Sequence, residues 1–102
     1  MAEPSLRDSL VVDAQVLFRQ LDDEAVLLDL KSGTYFGLND VGARAWHLIV
    51  EHGVLSRVLD GLLQEYAAER EVIERDLLEL GRELVSRQLA EVRRPAGGDR
   101  PV

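Results

Sequence analysis

Residues 26–49 read VLLDLKSGTYFGLNDVGARAWHLI, and the hydrophobic pattern changes from strand to helix within this stretch. A dense apolar run leads into KSG (residues 31–33), a turn signal in which glycine can adopt a positive φ. The next segment, TYFGL (residues 34–38), is rich in residues that favour β-strands. Asn39 is a favoured helix N-cap, and apolar residues then recur at helical spacing. The stretch predicts two strands joined by a tight turn and followed by a helix.

The flanking sequence extends this pattern in both directions. Upstream, VLFRQL (residues 16–21) mixes apolar and polar residues as a strand does, so three short strands are expected as an antiparallel meander. Downstream, apolar stripes predict two more helices, over about residues 55–66 and 71–88. Three strands followed by three helices indicate the α+β class, with one face of the sheet packed on the helices.

The composition limits what so small a chain can do. It has 102 residues, of which 46% are hydrophobic and none is cysteine. Its core is small, so a multi-part catalytic site is not expected. The two histidines have no metal-ligand spacing, and no nucleophile motif or phosphate-binding loop occurs. We therefore predict a protein that is not an enzyme and holds no metal or cofactor.

Charge and chain ends define the expected partners and domain limits. The net charge of −7 disfavours nucleic acid and anionic membranes as partners. There is no signal peptide and no apolar run of membrane-spanning length, which indicates a soluble cytoplasmic protein. We expect a flexible segment over residues 1–13, a domain over 14–92 and a disordered tail over 93–102, because RRPAGGDRPV is rich in Pro, Gly and charge.

Three residues have more than one interpretation. Asp29 interrupts an apolar strand; it faces solvent on the exposed side of the sheet or pairs with Arg44. Gly37 weakens a strand and Gly81 weakens a helix, by about 1 kcal/mol relative to Ala in the helix. A groove between the third strand and the third helix would explain both glycines by close backbone approach, and neutral tolerance is the alternative. The outer strands of a meander also leave two unpaired edges.

The stretch SGTYFGLN…GARAW resembles the signature of PqqD-like proteins, the recognition elements for ribosomally made and modified precursor peptides. The resemblance extends over about residues 16–92, and the helices match less specifically. One departure is visible: family members often have Gly-Leu near the end of the third helix, where this chain has Gln88-Leu89. The resemblance implies a winged-helix-like fold.

The resemblance also implies a binding site. In this family the leader segment of the precursor adds as an extra strand to the edge of the third strand and lies against the third helix. Carried onto this sequence, the implied contact residues on the strand are Thr34, Tyr35, Phe36, Gly37 and Leu38. Those implied on the helix are Asp76, Leu77, Leu78, Gly81, Arg82 and Val85.

The implied function is noncatalytic. A standalone protein of this kind presents the leader-bound precursor to a separate enzyme, which is a leader peptidase in lasso-peptide systems or a radical SAM enzyme in others. The alternative is a winged-helix DNA-binding regulator. The third helix disfavours it, because its acidic residues would face phosphates that need Arg or Lys.

Overall fold

The computed structural model describes residues 3–22 and 24–94. The strands and helices, numbered in chain order, are β1 (Ser9–Val12), β2 (Val16–Leu21), β3 (Glu24–Asp29), β4 (Thr34–Leu38), α1 (Asp40–His52), α2 (Leu55–Glu65), α3 (Arg70–Ser86) and β5 (Ala90–Arg93). The three predicted strands correspond to β2, β3 and β4, and the three predicted helices to α1, α2 and α3. The α+β class is confirmed. The winged-helix likeness stays a prediction.

Strands β2, β3 and β4 form the predicted antiparallel meander in the order β2-β3-β4. The register places Phe18 opposite Leu27, and Leu27 opposite Phe36. Successive side chains of a strand point to opposite faces, so these three share the face that packs on the helices. Tyr35 points the other way and is 70% exposed. Tyr35 and Phe36 therefore lie on opposite faces of the sheet.

Helix α1 begins after Asn39, as the sequence predicts. Asn39 Oδ1 accepts a hydrogen bond from the Gly42 N–H at 2.7 Å, and Gly53 ends the helix with a φ of 78°. Trp46 and Ile49 are buried in the core. The buried stripes of α2 and α3 complete that core: Leu55, Val58, Leu59 and Leu62 from α2, and Ile73, Leu77 and Leu84 from α3. No helix within the described residues has the length and apolar composition needed to span a membrane.

A second, two-stranded sheet joins the two ends of the chain. Strand β1 pairs antiparallel with β5, with Leu10 opposite Val92. Leu10 and Asp8 are both buried. Residues 9–12, which fall within the predicted flexible segment over residues 1–13, form strand β1 of this sheet. Of the predicted tail, Arg93 ends β5 and residues 95–102 lie outside the described residues.

Asp29 takes neither of its two predicted roles. Its side chain is buried and accepts hydrogen bonds from the Lys31 N–H at 3.0 Å and the Ser32 hydroxyl at 2.9 Å. It therefore stabilises the turn between β3 and β4, as Asp side chains do when they bond the backbone two residues ahead. Arg44 instead forms an ion pair with Glu65, with 2.8 Å between Nη2 and Oε2.

Candidate functional site: a groove beside the edge of β4

A groove separates the outer edge of β4 from α3. Strand β4 pairs with β3 on one side, and no other strand of the described residues pairs with its free edge. The groove has a volume of about 400 Å³ and runs along residues 36–39 on the strand side. An unpaired strand edge presents N–H and C=O groups that another extended chain can bind.

The floor of the groove is apolar and the α3 wall is acidic. Residues from four elements line the floor: Leu38, Val41, Ala45, Leu62, Leu77 and Leu80. On the wall, Asp76, Leu80 and Glu83 follow one another at helical spacing, so they share one face of α3. Glu79 adds a third carboxylate at the rim. The groove therefore combines an apolar interior with a negatively charged rim.

Arg87 bounds the other end of the groove. Its guanidinium lies 5.0 Å from the centroid of the Phe36 ring, a distance at which a cation and an aromatic face attract each other. Arg87 Nε also donates a hydrogen bond to Glu83 Oε1 at 3.0 Å. Beyond Phe36, Arg87 lines a smaller depression with Thr34 and Tyr35. The groove is thus acidic toward the end of β4 and basic toward its start.

The structure brings together only part of the predicted contact set. Phe36, Gly37, Leu38, Asp76 and Leu77 line the groove, and Thr34 and Tyr35 line the smaller depression. Leu78 and Arg82 line a separate depression on α3, and Val85 lies beside β1 and β5. The physical reason is the helical period. Leu78 and Arg82 lie two positions from Leu80 and Val85 lies five, so all three side chains point away from the face of α3 that meets β4.

The space beside Gly81 is filled by another part of the chain. Gly81 is buried, and a Cβ added there would lie 3.3 Å from Pro4 Cγ and 3.5 Å from Leu10 Cδ1. The segment that approaches Gly81 closely is therefore the chain's own N-terminus. At Gly37 an added Cβ would meet nothing within 4 Å, so this glycine leaves the β4 edge open and no described residue approaches it closely.

Three residues outside the set implied by the resemblance belong to this region: Leu80 and Glu83 line the groove, and Arg87 lines the smaller depression next to it. Together with Asp76 they follow the spacing i, i+4, i+7, i+11, which marks a single helix face. That stripe lies beside the buried stripe of Ile73, Leu77 and Leu84. Both stripes contain leucine, so the spacing of Leu80 also fits the buried stripe, and only the position of β4 distinguishes the two.

Two exposed ion pairs shift pKa values outside the groove. A hydrogen bond from Lys31 holds the pKa of the Asp13 carboxyl below its ordinary value. A hydrogen bond from Arg44 does the same for the Glu65 carboxyl. The second pair links α1 to the end of α2, and the first links the β1–β2 connection to the β3–β4 turn. Both ion pairs connect elements of the scaffold, and neither involves a carboxylate of the groove wall.

Comparisons with known proteins identify the family of this chain. Residues 24–90 match the family model described as Coenzyme PQQ synthesis protein D (PqqD). The chain belongs to the PqqD family. The family that the SGTYFGLN segment resembles is thereby confirmed. Among curated protein sequences no significant match is found.

Two solved structures resemble this chain, and both hold a leader peptide. One is TbiB1 in complex with the TbiA(beta) leader peptide; it is 40% identical, has a TM-score of 0.71, and the match covers 79% of this chain and 94% of that one. The other is a lasso peptide synthetase B1 complexed with the leader peptide, at 30% identity, a TM-score of 0.72, and coverage of 81% and 98%. The alternative of a DNA-binding regulator gains no support from either.

Proposed function

We propose that this chain binds the leader segment of a ribosomally made precursor peptide as an added strand on the β4 edge. The observation that carries the proposal is the groove between that unpaired edge and α3, in a chain similar to proteins solved with leader peptides. Main-chain hydrogen bonds to residues 34–38 supply affinity in this mode of recognition, and side-chain pockets supply specificity.

The chemistry of the groove describes the segment that fits it. An added strand presents alternate side chains toward α3. The apolar floor around Leu38 and Leu80 accommodates a large apolar side chain, and the carboxylates of Asp76 and Glu83 favour a basic residue near it. The contact set on α3 is accordingly Asp76, Leu77, Leu80 and Glu83, in place of Leu78, Gly81, Arg82 and Val85.

In this proposal the chain catalyses no reaction and needs no cofactor. It holds the precursor while a separate enzyme acts on it, and that enzyme is a leader peptidase or a radical SAM enzyme. The similarity to a lasso peptide synthetase B1 supports the leader peptidase of a lasso-peptide pathway. Because the precursor is made on ribosomes, we place this binding in the cytoplasm.

A titration tests the binding itself. The probe is a fluorescein-labelled synthetic peptide of the leader from the precursor encoded next to this chain's gene, followed by fluorescence anisotropy. We expect saturable binding with a Kd of roughly 10 μM or tighter, which corresponds to about −7 kcal/mol. Absence of saturation with that leader would contradict the proposal.

Strand addition makes a further prediction about the peptide backbone. In an antiparallel pair, alternate residues exchange hydrogen bonds with the neighbouring strand. Leaders that carry a single N-methyl group at successive positions should therefore lose affinity at every second position. A loss that follows no period of two would indicate that the leader binds in another conformation.

Two leucines on α3 distinguish the groove from the rest of the helix. Leu80→Ala shortens a side chain that lines the groove, so we expect the leader to bind about tenfold more weakly. Leu78→Ala is the matched control, because Leu78 is also half-buried on α3 but lines a different depression. Equal losses for the two variants in the anisotropy titration would place the leader elsewhere.

A further inference from the structure

Residues 3–12, which we call the N-terminal segment, pack on a face of α3 other than the one that lines the groove. Pro4 is buried, and it occupies the space that a side chain at position 81 would need. Leu10 reaches the same glycine, and Arg82 Nη1 lies 3.8 Å from Glu3 Oε1. The helix is therefore held between the core on one face and the N-terminal segment on the next.

Asp8 anchors the N-terminal segment. It is 2% exposed, and its Oδ2 accepts hydrogen bonds from the Ser5 N–H at 2.9 Å, from the Ser5 hydroxyl at 3.2 Å and from Arg94. The Asp8 carbonyl oxygen also accepts a hydrogen bond from the Leu55 N–H at 3.0 Å. This one carboxylate thus ties the start of the chain to the residue that follows β5, beside the start of α2.

The backbone of the N-terminal segment extends the same attachment. The Leu10 N–H donates to the Gly53 carbonyl at 3.0 Å, and the Leu6 carbonyl accepts from the Ser56 N–H at 2.9 Å. Strand β1 pairs with β5, which follows α3 directly. Both the middle of α3 and the chain just beyond its end are therefore fixed by residues 3–12.

The position of α3 decides whether a strand fits in the groove. Neighbouring strands lie about 4.8 Å apart, so an added strand needs α3 to stay at a set distance from β4. We propose that the N-terminal segment is a positioning element for the peptide groove, acting through the Pro4–Gly81 contact and the buried Asp8. This inference rests on the proposed function. The family match begins at residue 24, so the N-terminal segment lies outside it.

A distance measurement tests the position of α3 without any peptide. The chain contains no cysteine, so Tyr35→Cys on β4 and Glu79→Cys on α3, both exposed, introduce two unique sites for nitroxide spin labels, one on each of the two elements. Pulsed electron paramagnetic resonance then reports the distance between β4 and α3. Asp8→Ala in this background should shift and broaden the distance distribution, because the N-terminal segment loses its anchor.

The same substitution in the cysteine-free chain is titrated with the fluorescein-labelled leader described above. We expect affinity to fall about tenfold, with unchanged helical circular dichroism. Asp13→Ala is the matched control, because it also removes an ion-paired Asp near β1. Asp13 pairs with the exposed Lys31, and the residues that lie against Gly81 are Pro4 and Leu10. It should leave both the distance and the affinity unchanged.

A second variant covers the case in which Asp8→Ala does not fold. Pro4→Gly removes the ring that contacts Gly81 and leaves the Asp8 hydrogen bonds in place, and it should shift the distance in the same direction. Unchanged distance and affinity in folded variants would overturn the positioning role and leave leader binding intact. A shifted distance in a protein whose unmutated form binds no leader would overturn the proposed function instead.

Discussion

At the scale of single residues, Gln88 has a backbone conformation that side chains rarely adopt. Its φ is 64°. This is the left-handed region, in which a Cβ crowds the backbone and glycine is favoured just after a helix end. Gln88 connects α3 to β5, so the strained residue lies where the chain reverses to pair with β1.

Gln88→Gly should therefore stabilise the protein. Relief of the left-handed strain outweighs the added flexibility of the unfolded chain, and we expect a gain of up to about 1 kcal/mol in the free energy of unfolding. Chemical denaturation followed by circular dichroism measures it. The control is Gln64→Gly, the same substitution near the end of α2, which should cost up to about 1 kcal/mol because glycine disfavours a helix. Destabilisation by both would mean that Gln88 is not strained.

At the scale of elements, the junction between β4 and α1 links the fold to the groove. Asn39 follows the last residue of β4, caps α1 and also lines the groove. Its side chain accepts a hydrogen bond from the Gly42 N–H, one of the first N–H groups of the helix, which have no partner within the helix. The start of α1 in turn places Val41 and Ala45 on the groove floor.

Loss of this helix cap should lower the stability of the protein by a measurable amount. Asn39→Ala removes the acceptor of the Gly42 N–H and should lower the free energy of unfolding by about 1 kcal/mol. Asn39→Asp retains an acceptor in the same place and a charge that suits a helix N-terminus, so its stability should stay close to that of the unmutated chain. Thermal or urea unfolding compares the two, and equal losses would argue against the cap.

Helix α3 illustrates what a pattern within one element can predict. Its apolar periodicity was sufficient to predict the helix, because the buried residues Ile73, Leu77 and Leu84 recur at i, i+4 and i+11 along one face. The same periodicity does not indicate which residues beyond Asp76 and Leu77 line the groove. When a helix carries leucines on two adjacent stripes, its sequence does not indicate which stripe faces the strand edge. That depends on how the helix is rotated against the sheet.

At the scale of the whole molecule, the two ends of the chain form one structural unit. Strand β1 pairs with β5, and the buried Asp8 pairs with Arg94. This unit packs on α3 through Leu10. Residues 9–12 therefore contribute to the core and do not form a flexible extension.

A pair of substitutions in β1 tests this. Leu10 is 2% exposed and Val11 is 40% exposed on the same strand. Leu10→Ala should lower the free energy of unfolding by about 2–5 kcal/mol, as truncation of a buried leucine does. Val11→Ala should change it by roughly 0.5 kcal/mol or less. Urea denaturation measures both changes. A negligible effect of Leu10→Ala would mean that residues 9–12 do not contribute to the core.

Local sequence was enough to predict β2 to β4, the three helices and the open edge of the sheet. Each of these rests on neighbours along the chain: alternating strands, a turn at Gly33, a cap at Asn39 and apolar stripes at helical spacing. The β1–β5 pair, the burial of Asp8 and Asp29 and the groove face of α3 came only from the tertiary structure. They depend on contacts between residues that are distant in the sequence. Four-residue strands such as SLVV and AEVR have too few side chains for their sequence to predict which strand they pair with. The rotation of α3 is set by packing against both the core and the N-terminal segment. The apolar pattern of the helix sequence therefore cannot predict that rotation.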